Sequence, residues 1–221
     1  IESVRDGQMK RAEFDRGVLR KDEKLVKTDE SNGTRVVFEP DAEMFKSYQF
    51  RTQHIERLLW NYCYLNTGLA IYFNGQKYQS KNGLLDLLEV KMDGDPLYPI
   101  IHLKGNDIEV AITHANHYGE EYYSFVNGQH TTQGGTHQGA FREAVAKTIK
   151  DYFKKDWEAG DVRTGIVAAI SVKVMEPVFE SQTKTKLGSL EVSRAGQSMS
   201  SFIDESRSLE LNNFRRMKTE V

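Results

Sequence analysis

Four places in the 221-residue sequence combine residue types that can do chemistry. The first is "HANHYGEE", where His114, His117, Glu120 and Glu121 offer nitrogen and oxygen ligands in a short span. Zinc sites add a third ligand in a recognisable context, and these histidines sit where a strand runs into a turn, so they read as solvated loop residues and no metal site is expected. The second is "QGGTHQG", two glycines just ahead of a helix, where backbone N–H groups can face an anion. The same residues have a purely structural use, Gly134 and Gly135 supplying unusual backbone angles and Thr136 capping the helix. The third is a lysine face, Lys147, Lys150 and Lys154, with only Glu143 to offset it. Such a face is ordinarily just solvated, and contact with phosphates needs many charges or a concave field. The fourth is "VFESQTKTKLGSL", in which Gln182, Thr183 and Lys184 interrupt apolar sequence; composition and spacing favour a solvated connection. There is no phosphate-binding P-loop motif, and no serine or cysteine stands in a nucleophile motif.

Thirty basic and thirty-two acidic residues give a net charge of -2, so the molecule has no strong overall field and any nucleic-acid contact must be a local patch. Hydrophobic residues at 38% and charged residues at 28% describe a globular protein with material for a core. The length suggests two modules. The one cysteine, Cys63, excludes an internal disulfide and falls in a helical pattern, where a buried role in a reducing cytoplasm is expected. No apolar run approaches the roughly 20 residues of a membrane helix, so no membrane association is expected. The chain opens on Ile1 and stops amid helix-like sequence, which suggests a piece of a longer protein.

The elements that must position these residues follow from periodicity. Residues 1–16, around Asp6-Gly7, predict two short strands; "TRVVFEP" predicts a further strand closed by Pro40. From Phe50 to Asn66 a helix is expected, with Phe50, Ile55, Leu58, Leu59, Tyr62 and Leu65 on one apolar face and Gly68 as a stop signal. "LAIYFNGQKYQS" predicts a hairpin at Asn74-Gly75, and Lys81-Asn82-Gly83 the boundary between modules. Beyond it come a short helix at Leu84–Leu88, strands at "YPIIHL", "DIEVAITH" and "EEYYSFVN", and a helix over His137–Lys155 burying Phe141, Val145, Thr148, Ile149 and Tyr152. "IVAAISVKVMEPVF" predicts a buried strand, and helical spacing is expected from Leu187 onward, through Leu190, Val192, Ala195, Met199, Phe202 and Ile203. The expected class is α+β, with mixed sheets in both modules and a helical extension.

Read in order, "GTRVVFEPD", "LNTGLAIYF", "YSFVNGQHTTQGGTHQGAFREAV", "DVRTGIVAAISVKV" and "FESQTKTKL" resemble the ATPase (B) subunit of bacterial type IIA DNA topoisomerases, the family of gyrase and topoisomerase IV B subunits. The resemblance spans essentially the whole chain, and the Gln before Gly134-Gly135 together with "EEYYSFVNGQ" looks more like topoisomerase IV than gyrase.

The resemblance implies residues 1–81 as the end of a GHKL-type ATPase domain, an α/β sandwich; residues 82–186 as a transducer domain, a mixed sheet packed by helices; and residues 187–221 as a helical stalk. It implies Thr34 at the adenine end of an ATP pocket, and Gln182 with Lys184 reaching that pocket from the transducer, Lys184 at the γ-phosphate. Arg142, Lys147, Lys150 and Lys154 would face DNA. ATP and Mg²⁺ are the implied cofactors of the full-length protein, with none expected on this chain alone, which would be inactive; the family's Mg²⁺-holding asparagine and water-activating glutamate are expected upstream of Ile1. Implied partners are duplex DNA, the topoisomerase A subunit in an A2B2 assembly and a second copy of the B subunit in the closed ATP-bound state, all in the cytoplasm on the chromosome. Thr164 stands where the family pattern is acidic, and no role is assigned to it. Mismatch-repair and chaperone ATPases share the two-module arrangement and form the alternative reading.

Overall fold

The computed structural model describes residues 1–193 and 196–205. The chain divides into two compact units, Ile1–Thr52 and Gln53 onward.

In the first unit a charged, β-branched sequence broken by Asp6-Gly7 and Arg16-Gly17 forms a meander. Strands β1 (Glu2–Arg5), β2 (Gln8–Asp15) and β3 (Val18–Asp22) follow one another, β4 (Val26–Lys27) pairs with β2, and β5 (Gly33–Arg35) pairs with β1. Asp6 and Gly7 have φ of 50° and 74°, the double left-handed geometry of a tight hairpin turn. Arg16 and Gly17 repeat it at 50° and 78°, a second hairpin that periodicity alone does not mark. Val4 and Met9, directly opposite each other on β1 and β2, are buried. The strand expected over "TRVVFEP" stops at Arg35. Val36, Val37 and Phe38 are exposed, and Phe38 meets Phe50 edge-on at 5.9 Å, so ring contact replaces ladder pairing there. Helix α1 (Ala42–Phe45) is capped by the Asp41 carboxylate, which accepts from the Glu43 N–H at 2.8 Å.

Helix α2 (Thr52–Leu65) leads into the second unit. Its buried side is Cys63 and Tyr64, whereas Leu58 and Tyr62 of the expected apolar face are exposed. The spacing identified the helix correctly but not its covered face, because the second unit's core takes α2 through Tyr64. The hairpin of β6 (Ile71–Phe73) and β7 (Gln76–Tyr78) turns at Asn74-Gly75 as expected, with φ of 49° and 81°. The Asp86 carboxylate gathers the following stretch, accepting from the Ser80 hydroxyl and from the amides of Lys81 and Asn82 at 2.7 to 3.0 Å.

After α3 (Leu84–Lys91), the strands β8 (Ile101–Gly105), β9 (Ile108–His114), β10 (Glu121–Val126), β11 (Gln129–His130) and β12 (Ile166–Val172) form one mixed sheet, ordered β11-β10-β12-β9-β8. Only β10 and β12 run parallel, joined by a crossover through α4 (Thr136–Phe153) and α5 (Ala159–Arg163). The unbroken apolar run of β12 has a simple cause: both its faces are covered. Ile166, Ala168, Ile170 and Val172 face Phe141 and Ala144 of α4, while Val167 and Ala169 face Leu84, Leu87 and Leu88 of α3. Helix α4 is where it was expected, and Phe141 and Val145 of the expected face pack into the core; His137, Ala140 and Ala144 join them there, whereas Tyr152 is exposed. The small alanines beside Phe141 leave room for the helix to pack against the sheet.

The helical extension expected from Leu187 begins at residue 199. Residues 187–193 are irregular because Leu187 is held in isolated bridges to Gly135 and Phe179, and Glu191 bridges Ser198. Residues 199–205 are helical, with Met199 and Ile203 buried in the same core as α4. Ala195 and everything after residue 205 lie outside the described residues.

Candidate functional site

The polar stretch 181–184 is the tip of a small built hairpin. Its arms are bridged at Phe179 and Leu187; the Glu180 N–H donates to the Lys186 carbonyl at 3.0 Å and the Gly188 N–H to the Val178 carbonyl at 2.8 Å. At the tip the Lys184 N–H donates to the Ser181 carbonyl at 3.0 Å, closing a turn, and Lys184 takes a left-handed φ of 56°. Ser181 and Thr183 hydroxyls are 2.8 Å apart. Gln182 and Lys184 are exposed. The Lys184 ammonium stands 6.0 Å over the Phe179 ring, and no carboxylate partner for it exists among the described residues. What anchors this exposed tip is Leu187, fully buried in the main core.

The anchor is shared with the glycine turn some fifty residues earlier. The Leu187 N–H donates to the Gly134 carbonyl and the Thr136 N–H to the Leu187 carbonyl, both at 3.1 Å, while the Gln133 N–H donates to the Thr185 carbonyl at 2.9 Å. Gly134 and Gly135 have φ of 68° and 137°, so the unusual angles expected of this pair are present. Thr136 does not cap α4 as expected: Gly135 is the N-cap residue, no side chain caps it, and the Thr136 hydroxyl donates to the Ser189 carbonyl. The helix start is thus held by the incoming Leu187 segment, and the anion-binding reading of the turn loses the Thr136 N–H to the Leu187 carbonyl.

Beneath the turn lies a buried polar group of three. Thr131 donates through Oγ1 to the Ser124 carbonyl at 2.8 Å, the two hydroxyls are 2.7 Å apart, and His137 Nε2 is 3.3 Å from Thr131 Oγ1. Ser124, Thr131 and His137 are all buried. Burial pushes the His137 imidazole down to about 4, so it is neutral at physiological pH. Its Nδ1 has no hydrogen-bond partner among the described residues.

On the other side of α4, Glu120 is a hub. Arg142 reaches it with two nitrogens at 2.8 and 2.7 Å, Arg163 with one at 3.1 Å, and the Tyr122 hydroxyl at 2.7 Å. Burial pushes this carboxyl up, but the hydrogen bonds from Arg142, Tyr122 and Arg163 outweigh it and hold the group at about 2. His114, expected in solvent, instead contacts the Tyr98 hydroxyl at 2.6 Å through Nδ1 and the Val162 carbonyl at 3.0 Å through Nε2, joining β9 to α5. Both nitrogens are used, since a histidine at the end of a half-covered strand must satisfy them locally. No group of three or more His, Cys, Asp or Glu residues among those described could hold a metal ion.

The residues singled out by sequence therefore fall as follows. Gln182 and Lys184 are together on the hairpin tip in the second unit. Thr34 lies in the first unit, on β5, exposed and opposite Ser3. Arg142 is tied to Glu120. Lys147 pairs with Asp204 at 3.0 Å and Lys150 with Asp156 at 2.6 Å, whereas Lys154, the left-handed C-cap of α4, has no carboxylate partner among the described residues. Thr164 closes α5, its hydroxyl donating to the Gly160 carbonyl at 3.0 Å. Glu120, weighed from sequence only as a possible metal ligand, binds arginines instead, and nothing in the spacing marks Ser124, Thr131, His137 and Arg163 as a site. The signal they do carry is a serine inside the otherwise apolar core of β10, and a threonine and histidine flanking the glycine pair.

A family model described as DNA gyrase B matches residues 70–212. The B subunit of DNA topoisomerase 4 from Borreliella burgdorferi is 45% identical over 193 residues, covering 86% of this chain and 32% of that protein. The B subunit of DNA gyrase from Helicobacter pylori is 32% identical over 207 residues, covering 84% of this chain and 27% of that protein. The chain thus spans about a third of the length of the curated relatives it matches. Among solved structures, the 43K ATPase domain of Thermus thermophilus gyrase B, in complex with an aminocoumarin, superposes with a TM-score of 0.75 at 28% identity, covering 97% of this chain and 63% of that one. The ATP-binding domain of Francisella tularensis topoisomerase IV, at a TM-score of 0.69 and 24% identity, covers 96% of this chain and 63% of its own and supports the α+β fold. The glycine turn and the polar hairpin that meet at Leu187 both fall inside the matched residues, and the chain belongs to the DNA gyrase B family of type IIA DNA topoisomerase B subunits.

Proposed function

We propose that the chain is the transducer-bearing part of an ATP-driven type II topoisomerase subunit, coupling ATP binding and hydrolysis to passage of one DNA duplex through a double-strand break in another. In this reading residues 1–81 end the nucleotide-binding domain, 82–186 form the transducer and 187–221 the stalk, of which 199–205 are helical. The 45% identity to a topoisomerase IV relative, against 32% to a gyrase relative, favours decatenation over supercoiling. The partners are then the topoisomerase A subunit and a second copy of the B subunit, on the chromosome in the cytoplasm. ATP bound with Mg²⁺ supplies the γ-phosphoryl group; Lys184 contacts that phosphate, Gln182 flanks it, and Thr34 serves the adenine end.

The observation that carries this reading is Lys184 itself, an exposed point charge with no carboxylate partner among the described residues, held on a hairpin whose base is buried. A lysine on a flexible stem suits a terminal phosphate, and phosphoryl transfer is catalysed by placing positive charge where negative charge gathers. A ligand drives a switch only through a difference in its affinity for two states, and a lysine that meets the terminal phosphate of ATP but has no such partner once that phosphate is lost supplies one. In the full-length protein, Lys184→Ala is expected to lower ATP turnover about a hundredfold, as loss of an electrostatic contact to the transferring group does. Wild-type turnover and strand passage in that variant would sink the reading.

For the DNA-facing residues, Lys154 is the uncommitted charge, while Lys147 and Lys150 would exchange exposed carboxylates for phosphates at little cost, since surface pairs contribute only about 0–1 kcal/mol. Arg142, held by Glu120, would stay on the flank. Neutralising Lys147, Lys150 and Lys154 together is expected to reduce the log–log salt slope of DNA-stimulated turnover by about 2 to 3. An unchanged slope counts against a DNA role for this face.

A further inference from the structure

We infer that Thr131, together with Ser124 and His137, is a positioning centre for the Lys184 hairpin; the inference rests on the reading of Lys184 as the γ-phosphate contact. Every link in the path is a hydrogen bond. Thr131 Oγ1 donates to the Ser124 carbonyl on β10 at 2.8 Å, and the Thr131 carbonyl accepts from the Gly134 N–H at 2.8 Å. The Gly134 carbonyl accepts from the Leu187 N–H at 3.1 Å, and Leu187 ends the hairpin arm that carries Lys184. With its own proton committed to Ser124, the Thr131 oxygen accepts from His137 Nε2–H at 3.3 Å, which sets the tautomer and leaves Nδ1 bare. Gln138 extends the group, its side-chain oxygen 3.1 Å from the Ser124 hydroxyl, whose proton faces the nearer Thr131 Oγ1 at 2.7 Å.

Three buried polar side chains are poor material for stability, since hydrophobic residues of the same shape leave nothing to satisfy. What such a group does well is admit a single arrangement, because each hydrogen bond is met only there. The arrangement it admits is that of the Thr131–Gly134 turn, and the turn is the template on which Gln133, Gly134 and Thr136 bind Thr185 and Leu187. A lysine reaching for a phosphate tolerates little displacement of its base, and a misplacement of about 1 Å can cost up to about a hundredfold in rate. The three buried residues touch no nucleotide; they act through the hairpin.

The test sets Thr131→Val, which keeps the shape and removes the hydroxyl, against Thr131→Ser. In the full-length protein Thr131→Val is expected to lower kcat for ATP about tenfold with KM within about twofold, and Thr131→Ser to restore it. Added to Lys184→Ala, Thr131→Val is expected to cause no further loss, because both act on one contact. In the 221-residue chain, amide exchange at Gln133 and Leu187 is expected to quicken about tenfold in Thr131→Val, with the amides of β9 and β12 unchanged. Should Thr131→Val not fold, Ser124→Ala carries the same exchange measurement. Unchanged exchange at Gln133 and Leu187 overturns the inference, as does wild-type turnover in Thr131→Val beside an impaired Lys184→Ala. Wild-type turnover in Lys184→Ala overturns the underlying reading and this one with it; independent, multiplying losses in the double variant overturn the positioning role alone.

Discussion

Gly135→Ala is expected to lower the unfolding free energy of the second unit by about 4 kcal/mol, the sum of a forbidden backbone conformation at about 1–3 kcal/mol and an overpacked contact of similar size. At φ 137° and ψ −164° the residue occupies backbone space that is essentially restricted to glycine. An added Cβ would also sit against Leu187, meeting its backbone oxygen and its nitrogen, the latter at 2.5 Å. Those are main-chain atoms of a fully buried residue, so they cannot swing aside as a side chain would. Moving them breaks the hydrogen bonds that Leu187 shares with Gly134 and Thr136, and the base of the Lys184 hairpin goes with them. Gly128→Ala is the control: φ is 82°, but nothing lies within 4 Å of the added carbon, so only the backbone penalty of about 1 kcal/mol remains. Both tryptophans, Trp60 and Trp157, lie in the second unit, so urea unfolding followed by their fluorescence reads the right part of the chain. Equal losses in the two variants would show that the approach of Leu187 to the glycine turn is not close.

Acid is expected to destabilise the second unit in two successive windows. The first belongs to His137. The unfolded chain takes up a proton near the ordinary value of 6.5, whereas the buried imidazole refuses it until about 4. Between those values the unfolded state binds more protons, so stability falls as pH falls, by about 1.4 kcal/mol per unit and about 3 kcal/mol in all. His130 adds to the same window in the same direction, its value lowered by burial and then by the charges of Arg57 and Lys91. The second window belongs to Glu120, whose carboxyl is held at about 2 against an ordinary 4.5. Its contribution is present above 4.5 and is lost as pH falls toward 2, by a further 3 kcal/mol or so, less where the half-exposed Arg142 is screened by solvent. Replacing His137 with Asn is expected to flatten most of the slope between pH 6.5 and 4, and Glu120→Gln the slope below 4.5. Stability that does not change from pH 6.5 to 4.5 in the unaltered chain would mean that His137 is not buried as described.

The parts of the fold that could be read from sequence are those where chemistry acts locally. Asp6-Gly7 and Asn74-Gly75 turn tightly because aspartate, asparagine and glycine tolerate positive φ at small cost, a property that needs no partner elsewhere. Helices α2 and α4 announced themselves by spacing, and β12 by an apolar run too continuous for a one-sided strand. What spacing revealed only in part is which face a helix buries. In α2 the covered side is Cys63 and Tyr64 while Leu58 and Tyr62 stay exposed, and in α4 His137, Ala140 and Ala144 join the expected Phe141 in the core while Tyr152 stays exposed. Local apolarity marks a face that could be covered; only the opposing surface decides whether it is.

The same division runs through the site. Lys184 and Gln182 stand out by their place in an ordered series of motifs, and what they offer, a positive charge and a neutral amide, is a property of the side chains alone. By itself the sequence determined the α+β class, the hairpins at Asp6-Gly7 and Asn74-Gly75, and the family, and it displayed "QGGTH" and "QTK" as two separate segments. Only the tertiary structure decided that those segments are one object, joined through Leu187, and that Arg142, Lys147 and Lys150 already have carboxylate partners while Lys184 and Lys154 have none among the described residues. The physical reason is sequence distance: turn and helix propensities act over a few residues, whereas Gly135 and Leu187, or Glu120 and Arg142, lie far apart along the chain and come within bonding reach only when α4 and the 179–187 hairpin are packed on the sheet.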